Sequence, residues 1–226
     1  MDNNITIEFK PTTTCIDWFF APPTPCKIPN LEYFSILQIE ETINYILEKI
    51  PVVILDAMKE LGWKIIVTNT RNLENDCKSP TKIYGYTNFD TQTIYVYATK
   101  DGIPALLHEI AHFVDLLLNI SNTKEWNNIY NIEKPRYETL KNSFTCINNK
   151  SECFADAFML YYLHKERLDI NAPKTYGVME YLDKYIKYAI TKECVEERKD
   201  VQNQDMKNLI EKLSNISVFP EHCSYW

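Results

Sequence analysis

Two of the four histidines in this 226-residue chain, His108 and His112, stand four residues apart, and Glu109 follows the first of them directly. On a helix, residues i and i+4 project from the same face, so both imidazoles reach one point in space. Two neutral imidazoles at that spacing suit a tetrahedral metal, and a Glu one residue after the first can activate a water as general base. This is the His-Glu-x-x-His arrangement of zinc hydrolases. Shuffling the composition would give the pattern roughly once in two hundred chains. The opposing reading is a pair of partly buried helix histidines with no metal role.

A catalytic zinc takes three protein ligands and leaves its fourth position to water. Glu152 is the candidate third ligand, because Glu152 and Asp156 lie four apart on one face of the otherwise apolar stretch from Ser151 to Tyr162. Burying two carboxylates without compensation is costly, and a cation removes that cost. Glu152 is therefore assigned to the metal and Asp156 to the Nδ1 hydrogen of a ligating His, His108. Asp115, three after His112 and seven after His108, is assigned the same role toward the other imidazole. A surface-facing polar edge is the competing reading for all three acids.

These groups need helices to carry them. Pro104 fits a first helical turn, where its missing N–H costs nothing, and neither Gly nor Pro follows until well past Leu118. Leu106, Leu107, Ile110, Phe113, Val114 and Leu117 leave little of that helix polar, so it should run through the core. Ser151 is read as the cap of the helix carrying Glu152. Upstream, Ile36, Ile39, Ile43, Ile46 and Leu47 form a helical stripe, and Pro51 opens a second helix that closes at Leu61-Gly62, with Gly62 as C-cap. Residues 63–68 read as a buried strand and 69–79 as a polar loop. Residues 93–98 read as a further strand beside the metal helix, either pairing with an extended substrate backbone or serving as an ordinary core strand. After the metal helix, a polar helical region with Trp126, Ile129 and Tyr130 should break at Pro135. Tyr181, Leu182, Tyr185, Ile186 and Ala189 mark a last amphipathic helix. Residues 1–30, with the Pro-rich run 21–29, read as an extended arm, residues 31–198 as the main domain, and residues 199–226 as a helical tail packed on it.

The composition bounds the rest. An apolar fraction of 45% with 13% aromatic residues gives one sizeable core, and a net charge of −7 offers no basic surface for nucleic acid or anionic lipid. Seven cysteines at irregular spacing, with no Cys-x-x-Cys pair, indicate neither a disulfide framework nor a cysteine zinc knuckle. No stretch is long enough to span a membrane and no cleavable secretion signal is visible. The expectation is a monomer acting in the cytosol or delivered into a host cell.

His108-Glu109-x-x-His112 followed about 40 residues later by Glu152-x-x-x-Asp156 looks like the gluzincin pattern. More closely, Ile103 to Asp115, Glu152 to Phe158 and the segment Asn171-Ala172-Pro173-Lys174-Thr175-Tyr176 resemble the catalytic domain of anthrax lethal factor, a group that includes the Pro-Pro endopeptidases. The resemblance covers roughly residues 90 to 192. It implies an α+β, mostly helical, zincin-like metallopeptidase domain with a small mixed sheet beside the metal helix. It also implies a protein or peptide substrate, Zn2+ held by His108, His112 and Glu152, and Glu109 as base. The family carries a Tyr seven residues before the Glu ligand that bonds the oxyanion. Here position 145 is Thr and its neighbour is Phe144, so Tyr137, on the same connecting segment, is the candidate to replace it. Loss of an oxyanion donor costs about a hundredfold to a thousandfold in rate. A zinc-stabilised peptidase-fold binding module with weak or no turnover is therefore the alternative to a zinc endopeptidase.

Overall fold

The structure is a computed structural model and describes residues 6–10, 36–68, 84–98, 102–137, 140 and 148–190. The expected Pro-rich run, the polar loop 69–79, Phe144, Thr145 and the tail from 199 onward lie outside the described residues, as do six of the seven cysteines. The elements are β1 (Thr6–Lys10), α1 (Ile36–Leu47), α2 (Val52–Glu60), β2 (Lys64–Thr68), β3 (Gly85–Asn88), β4 (Thr93–Tyr97), α3 (Ala105–Leu118), α4 (Lys124–Tyr137), α5 (Lys150–Leu163), α6 (Lys165–Asn171) and α7 (Pro173–Ala189). A 3-10 turn, Ile120–Asn122, joins α3 to α4. The fold is mostly helical with one small mixed sheet, as the α+β expectation has it.

The sheet has strand order β1-β2-β4-β3, with β1, β2 and β4 mutually parallel and β3 antiparallel to β4. Ile65, Ile66 and Val67 are all buried because β2 sits between two neighbours and is covered on both faces, which is why it reads as an unbroken apolar run. Residues 6–10, within the stretch expected as an extended arm, form the strand paired with β2 at one end of this sheet. β4 is an inner strand, paired on both sides, so its backbone is not open to a substrate and the core reading holds. Among the described residues no strand pairs with the outer edge of β3. Hydropathy gives little sign of β3, four half-buried residues, Gly-Tyr-Thr-Asn.

Helices α1 and α2 bury Ile43, Ile46, Ile54 and Met58. The end of α2 is a Schellman turn: Gly62 takes φ 74°, its N–H donates to Lys59 and that of Trp63 to Met58. The turn delivers Trp63 edge-on against Phe113 of α3, ring centroids 5.0 Å apart. α3 enters from Pro104 and leaves at Asn119, which is left-handed (φ 51°), and nine of its positions are buried, eight of them as apolar core and Glu109 as a buried acid.

Two local expectations change. α5 is capped by Asn149 in place of Ser151: the Asn149 side chain accepts from the N–H groups of Ser151 and Glu152, so the helix begins at Lys150. α4 does not break at Pro135 but continues to Tyr137. A proline in the last turn removes one backbone donor only, and the buried Tyr137 beyond it holds the helix end in place.

That anchorage is a chain of hydrogen bonds to the start of α7. Tyr137 Oη lies 2.6 Å from Thr175 Oγ1, and the Thr175 hydroxyl lies 2.7 Å from Oε2 of Glu133, a carboxylate only 1% exposed. Glu133 also accepts from the backbone N–H groups of Thr175 at 2.7 Å and Lys174 at 3.0 Å, two of the donors an α-helix leaves open in its first turn. Pro173 starts α7 where no N–H is needed. Glu133→Ala, which strands these donors in the interior, is expected to cost about 3 kcal/mol and to lower Tm by about 6–12 °C in a thermal melt. Glu133→Gln, whose amide oxygen still accepts, should lose distinctly less.

Candidate metal centre

Three side chains from two helices meet beside α3. His108 and His112 come from one face of α3, and Glu152 comes from the first turn of α5, which packs against it. His108 Nε2 lies 3.2 Å from His112 Nε2 and 3.2 Å from Glu152 Oε2, and His112 Nε2 lies 3.6 Å from Glu152 Oε1. One ligand atom from each falls within 4.8 Å of the others, the one such group of three among the described residues. Donor atoms at about 2.1 Å from a tetrahedral ion are separated by about 3.4 Å, so this triangle fits a metal without rearrangement. The site is partly open: the histidine side chains are 12% and 14% exposed, and that of Glu152 30%.

Asp156, one turn after Glu152 and 1% exposed, accepts the Nδ1 hydrogen of His108 at 2.8 Å. This fixes the tautomer with Nε2 pointing at the triangle. Burial alone would lower the pKa of His108, but the hydrogen bonds to Asp156 and Glu152 outweigh it and hold the imidazolium up at about 10. His112 is shifted the other way, by its burial and then by the charge on His108. Glu152 is lowered, first by its hydrogen bond to His108. A cation at the triangle competes for the same lone pairs as the proton on His108. The two carboxylates that converge on the two imidazoles, Glu152 and Asp156, suit a divalent ion.

Glu109 meets β3. Its carboxyl is buried, and that burial pushes its pKa up to about 7. Thr87 of β3 donates its hydroxyl to Glu109 Oε2 at 2.8 Å, and Thr87 Oγ1 also lies 3.2 Å from the Glu109 carbonyl oxygen. Thr87 is a site residue that the sequence reading missed. A signal exists in the turn that follows, where the Thr91 N–H donates to Asn88 Oδ1 and so marks 85–97 as a hairpin.

The structure does not bring the other two expected residues to the metal position. Asp115 accepts from Ser121 N–H at 2.7 Å and from Ser151 Oγ at 3.1 Å. It ties the end of α3 to the 3-10 turn and to the start of α5, and acts on His112 through its charge alone. Tyr137 is fully buried. The Thr175 hydroxyl is oriented toward Glu133, so the Tyr137 hydrogen is engaged on Thr175, and a side chain with no exposed surface has no access to a substrate oxyanion.

Comparison with known proteins gives a family likeness. Residues 90–184 match the family described as anthrax toxin lethal factor, N- and C-terminal domain. That span contains His108, Glu109, His112, Glu152 and Asp156. Among solved structures, the Pro-Pro endopeptidase PPEP-2 from Paenibacillus alvei superposes with a TM-score of 0.52 at 25% identity, over 68% of this chain and 95% of that one. This chain resembles the lethal factor and Pro-Pro endopeptidase peptidases. No curated protein sequence matches it. The lethal-factor-like region is thus built around the α3–α5 pair, and its Asn171-to-Tyr176 segment is the joint capped by Glu133. No described helix is long and apolar enough to cross a membrane.

Asp156→Ala is expected to weaken zinc binding about ten- to a hundredfold in competition with a chromogenic chelator, because the tautomer of His108 is no longer fixed. Asp115→Ala should lower Tm and leave zinc affinity essentially unaltered.

Proposed function

We propose that the protein is a zinc-dependent endopeptidase acting on a protein or peptide substrate. The observation that carries this reading is the triangle of His108 Nε2, His112 Nε2 and a Glu152 oxygen at ligand spacing, with a buried carboxylate, Glu109, one residue along α3. Zinc bound there would be held by His108, His112 and Glu152 and would supply Lewis acidity, acidifying a water and polarising the scissile carbonyl. Glu109 takes the proton of the attacking water and passes it to the departing amine, a role suited to a carboxyl whose pKa burial has raised toward neutrality. Asp156 holds His108 in its ligating tautomer. The outer edge of β3 offers backbone groups to an extended substrate alongside α3. The likeness to a Pro-Pro endopeptidase makes proline-rich peptides the first substrates to try.

The burial of Tyr137 favours a second reading, a zinc-stabilised peptidase fold that holds its partner with little turnover, since that hydroxyl is withdrawn from the oxyanion. A mixed peptide library that includes proline-rich sequences, incubated with the zinc-loaded protein, separates the two. Chelator-sensitive cleavage rejects the binding-only reading, and its absence rejects the peptidase. Glu109→Gln is expected to keep zinc at full occupancy while lowering kcat by about a hundredfold to ten-thousandfold; unchanged cleavage in that variant removes Glu109 from the chemistry.

A further inference from the structure

Glu109 stands on the side of α3 that faces the sheet, and two residues of β3, Gly85 and Thr87, meet it there. The antiparallel register sets Gly85 opposite Val96 and Thr87 opposite Ile94, so both lie on the α3 face of the sheet. Tyr86, between them, points to the other face and stacks on Tyr95 with ring centroids 4.7 Å apart. Thr87 Oγ1 binds one oxygen of Glu109, Oε2, at 2.8 Å. Gly85 bounds the other. A Cβ at residue 85 would stand 3.1 Å from Glu109 Cγ and 3.3 Å from Oε1, and 2.8 Å from the backbone oxygen of Tyr95. The last contact is with sheet backbone, which has little freedom to retreat.

We propose that Thr87 and Gly85 are positioning residues that aim the Glu109 carboxylate: Thr87 fixes Oε2, and the bare backbone of Gly85 leaves Oε1 in place to accept the proton of the attacking water. The inference rests on the peptidase reading of Glu109. A free Glu side chain samples three torsions, and a base must lie within hydrogen-bond reach of the proton it takes. Thr is suited to the task because branching at Cβ restricts its χ1 and so the direction of its hydroxyl. One slip of register would bring Tyr86 to Glu109 in place of this pair. The Tyr86–Tyr95 stack on the opposite face opposes such a slip.

Three measurements on the full-length zinc-loaded protein test this. Thr87→Val, which keeps shape and removes the donor, is expected to lower kcat about tenfold or more with KM and zinc affinity unchanged, and Thr87→Ser is expected to recover most of the loss. In thermal melts, Thr87→Val should lower Tm by about 2–4 °C when Glu109 is present and by much less in a Glu109→Ala background, the coupling expected of a direct contact. Gly85→Ala should reduce kcat in the same manner and, unlike Thr87→Val, should not be rescued by any hydroxyl at 87. Wild-type kcat in Thr87→Val, or equal losses of Tm in both backgrounds, overturns the positioning role while leaving the peptidase reading intact. Absence of cleavage by the wild-type protein overturns the peptidase reading, and the thermal cycle still decides whether Thr87 holds Glu109.

Discussion

Glu152 and Asp156 are set against two imidazoles and Glu109 against Thr87, and each survives there because a donor or a ligand position is held at bonding distance. That requirement sets the arrangement of everything nearby. α3 must lie against α5 closely enough for the His108 Nδ1 hydrogen to reach Asp156, and against β3 closely enough for the Thr87 hydroxyl to reach Glu109. A loosened contact on either side leaves a buried charge without its partner, a larger penalty than the bond itself contributes. The packing of the two helices and the placement of the chemical groups are therefore one problem with one solution. Phe154 edge-on to Trp126, and Phe113 edge-on to Trp63, fill the space on either side of it.

The same physics recurs at the far end of α4. Glu133 is buried and answered by two backbone N–H groups and a hydroxyl at the start of α7, which locks the last described helix to α4 across some 40 residues of chain. Asp115 joins α3 to α5 through Ser121 and Ser151. Acidic side chains thus act as the fasteners between helices, each set against a helix start or a turn where backbone donors are open. The Asn171-to-Tyr176 segment, on which the family resemblance leans, gains a structural meaning from this: it supplies the proline and the donors of a capped helix start.

The sheet contributes in a way that its short, mixed strands conceal. β2 and β4 are buried staves whose apolar runs are easily read. β3 carries no such run, yet it supplies Thr87 to Glu109 and presents an edge, among the described strands, beside α3. A single half-buried strand can carry this role because alternate residues face opposite ways: Gly85 and Thr87 serve the helix, while Tyr86 serves the far face.

From the sequence alone, the spacing of His108, Glu109 and His112 was sufficient to bring two imidazoles to one face of a helix, and the pairing of Glu152 with Asp156 in an apolar stretch was sufficient to mark the helix that meets it. Helical periodicity converts such spacings into a shared face without further information. The caps and breaks were partly legible: Gly62 behaved as its type suggests, whereas Pro135 was overridden by the anchoring of Tyr137. Tertiary structure alone decided where the remaining acids and hydroxyls went. Asp115 and Tyr137 carry the right chemistry for the site, but Ser121, Ser151 and Thr175 lie within their reach and take their hydrogen bonds. Thr87 and Gly85, unremarked in the chain, reach Glu109 because strand register and helix packing place them there. Local spacing fixes which side chains share a face; what that face meets is settled by the packing of elements distant in sequence.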